Sequence, residues 1–269
     1  MSRFAVVGNP VSHSKSPIIH QAFARQTGIE LDYSAMELAE PDFESGVQEF
    51  FAAGGKGLNV TVPFKERAFR LARSYSPLTA MAKAANTLFL DAAGEIAADN
   101  TDGKGLLMDL AHHDISLTNK RVLVIGAGGA VRGVLAAMAD TALDDLVIVN
   151  RTPERARQLA TEFGSVLPMQ VLLLEELGKT NFDEIINGTS LSLVGELPPL
   201  SNLVLGPNCC CYDMMYADKP TVFQTWALEA GAGLALDGLG MLVEQAAESF
   251  AIWHGVRPET KEVISHLRS

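Results

Sequence analysis

At 269 residues, 48% of them apolar, the chain has enough sequence to bury one large or two ordinary cores and too much hydrophobicity to be disordered. Its 21 Lys+Arg against 32 Asp+Glu give a net charge of -11, which argues against a nucleic-acid or anionic-membrane partner. An anionic small molecule could still be held, by a local cluster of cations and oriented N-H groups.

The opening "MSRFAVVGNP" is too short an apolar run for a signal peptide, and no segment has the ~20 apolar residues of a membrane span, so a cytoplasmic address is expected. In chain order, strands are expected at Phe4 to Val7, Asp32 to Met36, Gly57 to Val60 and Asn86 to Leu90, with helices between them at Pro17 to Gln26, Pro41 to Ala53 and Phe64 to Tyr75. "NTDGKGLLMDL" begins as a turn and continues as a helix that could link two domains, with a boundary near Asp102. Beyond it come strands at Arg121 to Gly126, Asp145 to Asn150, Asp183 to Thr189 and Cys210 to Tyr216, then helices at Met241 to His254 and Pro258 to Arg268. Strand-like runs alternating with helical patterns indicate parallel α/β architecture, and the uniformly apolar later strands indicate a sheet covered on both faces. Cys209, Cys210 and Cys211 are consecutive, a spacing that fits neither a zinc site nor a redox pair; buried thiols and no metal are expected.

Two stretches carry chemistry. In "RVLVIGAGGAVRGVLAAMA" a strand runs into a glycine turn and a helix: Gly126 permits the tight turn, Gly128 lets backbone approach a pyrophosphate, and the helix N-terminus offers free N-H groups. Val131 stands where a third small residue is usual, and such a turn can be purely structural, but its strand-to-helix setting favours a dinucleotide. The next strand ends in "NRTPERAR", with Asn150 where an NAD site usually has an acid. Arg151, Thr152 and Arg155 can instead surround a 2'-phosphate, so NADP is expected over NAD.

The other stretch is "VGNPVSHSKSP". Gly8, Asn9 and Pro10 end the strand and Pro17 opens a helix; one of Ser14 and Ser16 could cap it, which leaves hydroxyls to spare. "GLNVTVPFKE" adds Asn59, Thr61 and Lys65, "KAANTLF" adds Asn86, and "DNTDGKG" adds Asp102. Residues beyond the carboxyl ends of strands line one crevice, so this set could face a common ligand, best a small polyhydroxylated carboxylate. Taken singly, each has a duller explanation as a cap or a solvated side chain.

Together and in this order, "NPVSHSKSP", "NVTVPFKE", "AANT", "DNTDGKG", "GAGGA", "NRTPERA", "DMMY" and "DGLGMLVEQA" resemble the shikimate dehydrogenase family along the whole chain. The resemblance implies an α/β protein of two domains: an N-terminal α/β substrate domain, 1-101 plus 241-269, and a Rossmann-like NADP domain, 102-240, with the C-terminal helices returning to the first. It implies reversible NADPH-dependent reduction of 3-dehydroshikimate to shikimate, with Lys65 and Asp102 catalytic. Ser14 and Ser16 would bind the substrate carboxylate, Asn59, Thr61, Asn86 and Gln245 its ring hydroxyls, and Tyr216 would lie close to it. Gly126, Ala127, Gly128, Gly129 and Ala130 would hold the pyrophosphate, Asn150, Arg151, Thr152 and Arg155 the adenosine phosphate, and Met214 and Gly240 would lie near the nicotinamide. A monomer or homodimer is expected. Departures sit in the cofactor half: Val131, the cysteine triplet, and "NGTSLSLVGE" where an "NATS" type turn is expected. Rival readings are a quinate/shikimate relative that uses NAD, a sensor that lost turnover, and a binding module.

Overall fold

The computed structural model describes residues 1–179, 181–200 and 203–269. It divides into two compact units, Met1–Met108 with Leu242–Ser269, and Asp109–Met241. The first unit begins with β1 (Ser2–Gly8), α1 (Ser16–Thr27), β2 (Leu31–Glu37), α2 (Phe43–Ala52), β3 (Gly57–Val60) and α3 (Lys65–Leu71). It continues with β4 (Ser74–Tyr75), α4 (Pro77–Ala82), β5 (Thr87–Leu90), β6 (Ile96–Asp99) and the start of α5 (Asp102–His112). Helix α1 shows how local sequence sets these limits. Pro17 sits in its first turn, Gly28 ends it at φ 70 in the left-handed region, and Ile19 and Phe23 share its buried face.

The sheet order is β2-β1-β3-β5-β6-β4. It is mixed rather than wholly parallel: β5 runs antiparallel to β3 and β6. The cause is the short β5 to β6 connection, closed by an Asp91 to Glu95 turn with Gly94 at φ 80; parallel neighbours would need a crossover of a dozen residues or more. Tyr75, expected in a helix from Phe64, lies instead in β4. Arg73 N-H donates to Ile96 O at 2.8 Å, so pairing beside β6 prevails over continued helix after Leu71.

The second unit contains the end of α5, then β7 (Arg121–Ile125), α6 (Gly129–Met138), β8 (Asp145–Val149), α7 (Pro153–Phe163) and β9 (Met169–Val171). It goes on through β10 (Asn181–Asn187), β11 (Val204–Asp213), α8 (Val222–Glu229) and β12 (Leu234–Leu236). All pairings are parallel, in the order β12-β11-β10-β7-β8-β9, the doubly wound Rossmann arrangement whose direction of winding reverses between β7 and β10. Strand β11 stops at Asp213, short of Tyr216, because the Asp213 carboxylate turns back to accept from Met215 N-H at 3.1 Å. The three cysteines are free and buried, with Cys209 and Cys211 in the core on one face.

Helices α9 (Leu239–His254) and α10 (Lys261–Arg268) complete the chain. From α9, Val243, Ala246, Ala247 and Phe250, with Val263 of α10, pack on Phe4, Val6, Ile19, Phe23 and Tyr33. The other face of the same sheet buries Ala5, Val7, Phe43, Val47, Leu58 and Phe64. Alternate residues of β1 therefore serve two cores, and the last helices form one wall of the first unit. The division near α5 falls after Met108 rather than at Asp102, because Thr101 and Asp102 are bonded to Lys65, Asn86 and Gln245 of the first unit.

Candidate active site

In the first unit the turns after β1 and β3 are laced together. Asn9 N-H donates to Val62 O and Thr61 N-H to Val7 O, and a side chain at Gly8 would overlap the Thr61 methyl. This brings the serine loop alongside Thr61, just before α3. The helix cap is Lys15, without a side-chain capping bond, so neither serine is consumed in that way. Ser14 Oγ donates to Ser16 Oγ at 3.1 Å and accepts from Ser16 N-H at 3.3 Å, placing two hydroxyls at the start of α1, where its dipole favours negative charge.

Lys65, the first residue of α3, donates through Nζ to Asp102 Oδ2 at 2.6 Å, with side-chain exposures of 12% and 6%. Asp102 Oδ1 accepts from Asn86 Nδ2 at 3.0 Å, and Asn86 Nδ2 also reaches Gln245 Oε1 at 3.0 Å and Thr101 Oγ1 at 2.8 Å. Gln245 comes from α9, so the cluster joins the end of the chain to its first hundred residues. Asn59 is buried behind it, bonded to Tyr33, Ser249 and the Asn86 carbonyl. Thus Ser14, Ser16, Asn59, Thr61, Lys65, Asn86, Asp102 and Gln245 all belong to the first unit; Tyr216 belongs to the second, two residues after Met214.

The second unit carries the glycine turn. Gly126 has φ 114, a conformation that side chains resist, and a Cβ at Gly128 would meet no atom within 4 Å. Gly128 heads α6 without a side-chain capping bond, so the first N-H groups of Gly129, Ala130 and their neighbours open outward. Val131 is buried, and the residue facing it across the winding reversal is Gly188, where a Cβ would overlap Val131 Cγ2 and lie 3.1 Å from Met214 Sδ. The two departures in sequence, Val131 and the glycine of "NGTS", therefore fit one another.

Beyond β8, Asn150 Nδ2 donates to Thr152 O at 2.9 Å, and Thr152 heads α7 without a side-chain capping bond. Arg151 and Arg155 are exposed, and among the described residues no ion pair or side-chain hydrogen bond engages either guanidinium. Met214 is buried, its N-H bonded to Asn187 O at 2.9 Å; Gly240 packs where any Cβ would overlap the Asp109 carboxylate.

Three family models match most of the chain: the shikimate dehydrogenase substrate binding domain over residues 6–88, shikimate / quinate 5-dehydrogenase over 109–193, and the shikimate 5'-dehydrogenase C-terminal domain over 238–268. The chain belongs to the shikimate dehydrogenase family. It is 52% identical over 268 residues to the shikimate dehydrogenase (NADP(+)) of Aeromonas salmonicida, covering 100% of this chain and 98% of that one. The enzyme of the same name from Alkalilimnicola ehrlichii is 53% identical over 267 residues, covering 99% and 98%. In structure the chain is similar to shikimate 5-dehydrogenase from Thermus thermophilus in complex with NADP(H) and shikimate, with TM-score 0.88, 32% identity, and 100% and 99% coverage. The second unit fits the cofactor of that family. Open space at Gly128, uncapped N-H groups on α6, and two uncommitted guanidinium groups with no acid at position 150 suit a pyrophosphate and a further phosphate.

Sequence reading missed the residues that brace the candidate site. Tyr33, Thr87, Thr101 and Ser249 form the buried net around Asn59 and Asn86, and Ser249 lies one helical turn after Gln245 on the same face, the one available clue. In the second unit, buried Asp213 accepts from Asn187, Ser192, Thr221 and Met215 and so ties the turns after β10 and β11 together beside Met214. Burial pushes its carboxyl above the usual range, while those four donors oppose the rise. Among the described residues there is no cluster of His, Cys, Asp and Glu able to hold a metal ion, and no helix long and apolar enough to cross a membrane.

Proposed function

We propose that the chain catalyses the reversible NADPH-dependent reduction of 3-dehydroshikimate to shikimate in the aromatic amino-acid route. The observation that carries this reading is the nearly buried Lys65–Asp102 pair at 2.6 Å, joined through Asn86 to Gln245 in a chain of this family. NADPH, when bound, would supply the hydride, and NADP+ would accept it in the reverse direction. The protein's part is to hold the substrate and to move one proton. Both oxygens of Asp102 accept hydrogen bonds, from Lys65 and Asn86, so the proton available for transfer is on Lys65 Nζ. Lys65 gives it to the substrate oxygen as negative charge develops there and retrieves it in reverse, while Asp102 keeps the ammonium aimed.

Ser14 and Ser16, at the start of α1, receive the carboxylate; Thr61, Asn86, Gln245 and Tyr216 receive ring hydroxyls. The turn from Gly126 to Ala130 holds the pyrophosphate. Asn150, Arg151, Thr152 and Arg155 hold the 2'-phosphate, and Met214 and Gly240 lie by the nicotinamide. Every residue in this scheme comes from one chain, which serves a monomer or a homodimer equally. Three free buried thiols support a cytoplasmic setting.

The test is absorbance at the reduced-nicotinamide band after mixing the protein with shikimate and NADP, repeated with NAD and with quinate. Rapid reduction of NADP with shikimate is expected. Preference for NAD or quinate would move the chain to the quinate/shikimate class, and absence of turnover with every pair would overturn the enzymatic reading.

A further inference from the structure

We propose that Asn59, which its sequence neighbours group with the ligands of ring hydroxyls, is a positioning residue that never touches substrate, and that Tyr33 fixes its orientation. The inference rests on the shikimate reading. The amide of Asn59 is committed at both ends inside the protein. Its Oδ1 accepts from the Tyr33 hydroxyl at 2.7 Å, and its Nδ2 donates to Ser249 Oγ at 2.9 Å and to the Asn86 carbonyl at 3.3 Å. A primary amide has two N-H donors, so Nδ2 has none left to give. The residue is only 5% exposed, and a substrate hydroxyl could accept from Nδ2 only by displacing one of these partners and leaving it buried and unsatisfied.

Tyr33 is itself held fast. Its ring stacks on His20 at 4.2 Å with 7° between the planes, and its hydroxyl donates to Asn59. The resulting line of contacts runs from Tyr33 through Asn59 to Asn86, whose own side chain bonds Asp102. Asn59 thus joins β2, through Tyr33, and α9, through Ser249, to Asn86, which bonds Asp102 of the Lys65–Asp102 pair. Its loss should disturb the geometry of proton transfer whichever ring hydroxyls the substrate carries.

The experiment compares wild type, Asn59→Ala and Tyr33→Phe on shikimate and on its 4-deoxy and 5-deoxy analogues, with NADP as oxidant. Wild-type turnover of shikimate comes first; its absence would overturn the functional reading and this inference with it. The inference expects Asn59→Ala to lower kcat about five- to tenfold by the same factor on all three compounds, and Tyr33→Phe to lower it about three- to fivefold in the same uniform way, with KM for NADP unchanged in both. A loss that disappears with one deoxy analogue would give Asn59 a direct bond to that hydroxyl and overturn the proposal. If Asn59→Ala does not fold, Tyr33→Phe decides alone, since it keeps the ring and its stack on His20. A folded Tyr33→Phe protein with wild-type kcat would also overturn it.

Discussion

The two units build their sites from opposite materials. In the first, side chains bond side chains: Lys65 to Asp102, Asp102 to Asn86, Asn86 to Gln245 and Thr101, Asn59 to Tyr33 and Ser249, nearly all buried. In the second, the site is backbone and exposed charge: a glycine turn, an uncapped helix start and two arginines with no protein partner among the described residues. The contrast matches the chemistry. Proton transfer needs donors fixed to within fractions of an ångström, which a satisfied buried network provides. A dinucleotide that must leave after each turnover is better met by N-H groups and by guanidinium groups that water can solvate in its absence.

This contrast can be broken at several points, the largest effect first. Lys65→Ala should lower kcat by about 10²–10⁴-fold while KM for shikimate moves only a few-fold. Steady-state kinetics in the oxidative direction check it, and a large rise in KM with kcat retained would reduce Lys65 to a binding residue. Arg151→Ala should raise KM for NADP by about 10–100-fold and leave KM for NAD nearly unchanged, since only the 2'-phosphate loses a charge-assisted partner. Equal effects on the two cofactors would remove Arg151 from the phosphate site.

Gly188→Ala should raise KM for NADP by about five- to fiftyfold, because the new methyl overlaps Val131 Cγ2 and crowds Met214. Val131→Ala on that background should recover most of the loss. Additive effects in the double variant would show that the two positions are not matched.

The last effect concerns acid, and stability rather than turnover. His20 is buried, and burial pushes its imidazole down to about 3, so the folded protein holds it neutral while the unfolded chain protonates it below about 6.5. The unfolded state then binds more protons between those values, and stability falls as pH falls through that window, by at most about 1.4 kcal/mol per pH unit from this residue. His20→Phe, which can keep the stack on Tyr33, should flatten the decline of Tm between pH 6.5 and pH 4. An identical decline in both proteins would assign the acid sensitivity elsewhere.

How much could be read in advance divides along the same line. The glycine turn and "NRTPERAR" were legible because the chemistry lies in consecutive residues between a strand and a helix. The first unit's network joins Asn86 to Gln245 and Asn59 to Ser249 across most of the chain, and no local period records such pairings. Ser14, Lys65 and Asp102 were picked out as candidates from their places at strand ends and turns and given roles by the family resemblance; Tyr33 and Ser249, which bond to other members of the set, had no pattern to reveal them. β5 was expected as a strand, but its antiparallel direction and the short strands β4 and β6 were missed, because pairing partners, not propensity, decide two- to four-residue strands.

The placement of α9 and α10 bears on the order in which the molecule takes shape during translation. The second unit is one uninterrupted segment, and its sheet is complete when Leu236 has left the ribosome. The first unit must wait: one wall of its core, with Gln245 and Ser249, is contributed after Leu242, so the earliest strands made are the latest to be covered. Until α9 arrives, Phe4, Val6, Ile19 and Phe23 are an unroofed apolar face on the nascent chain.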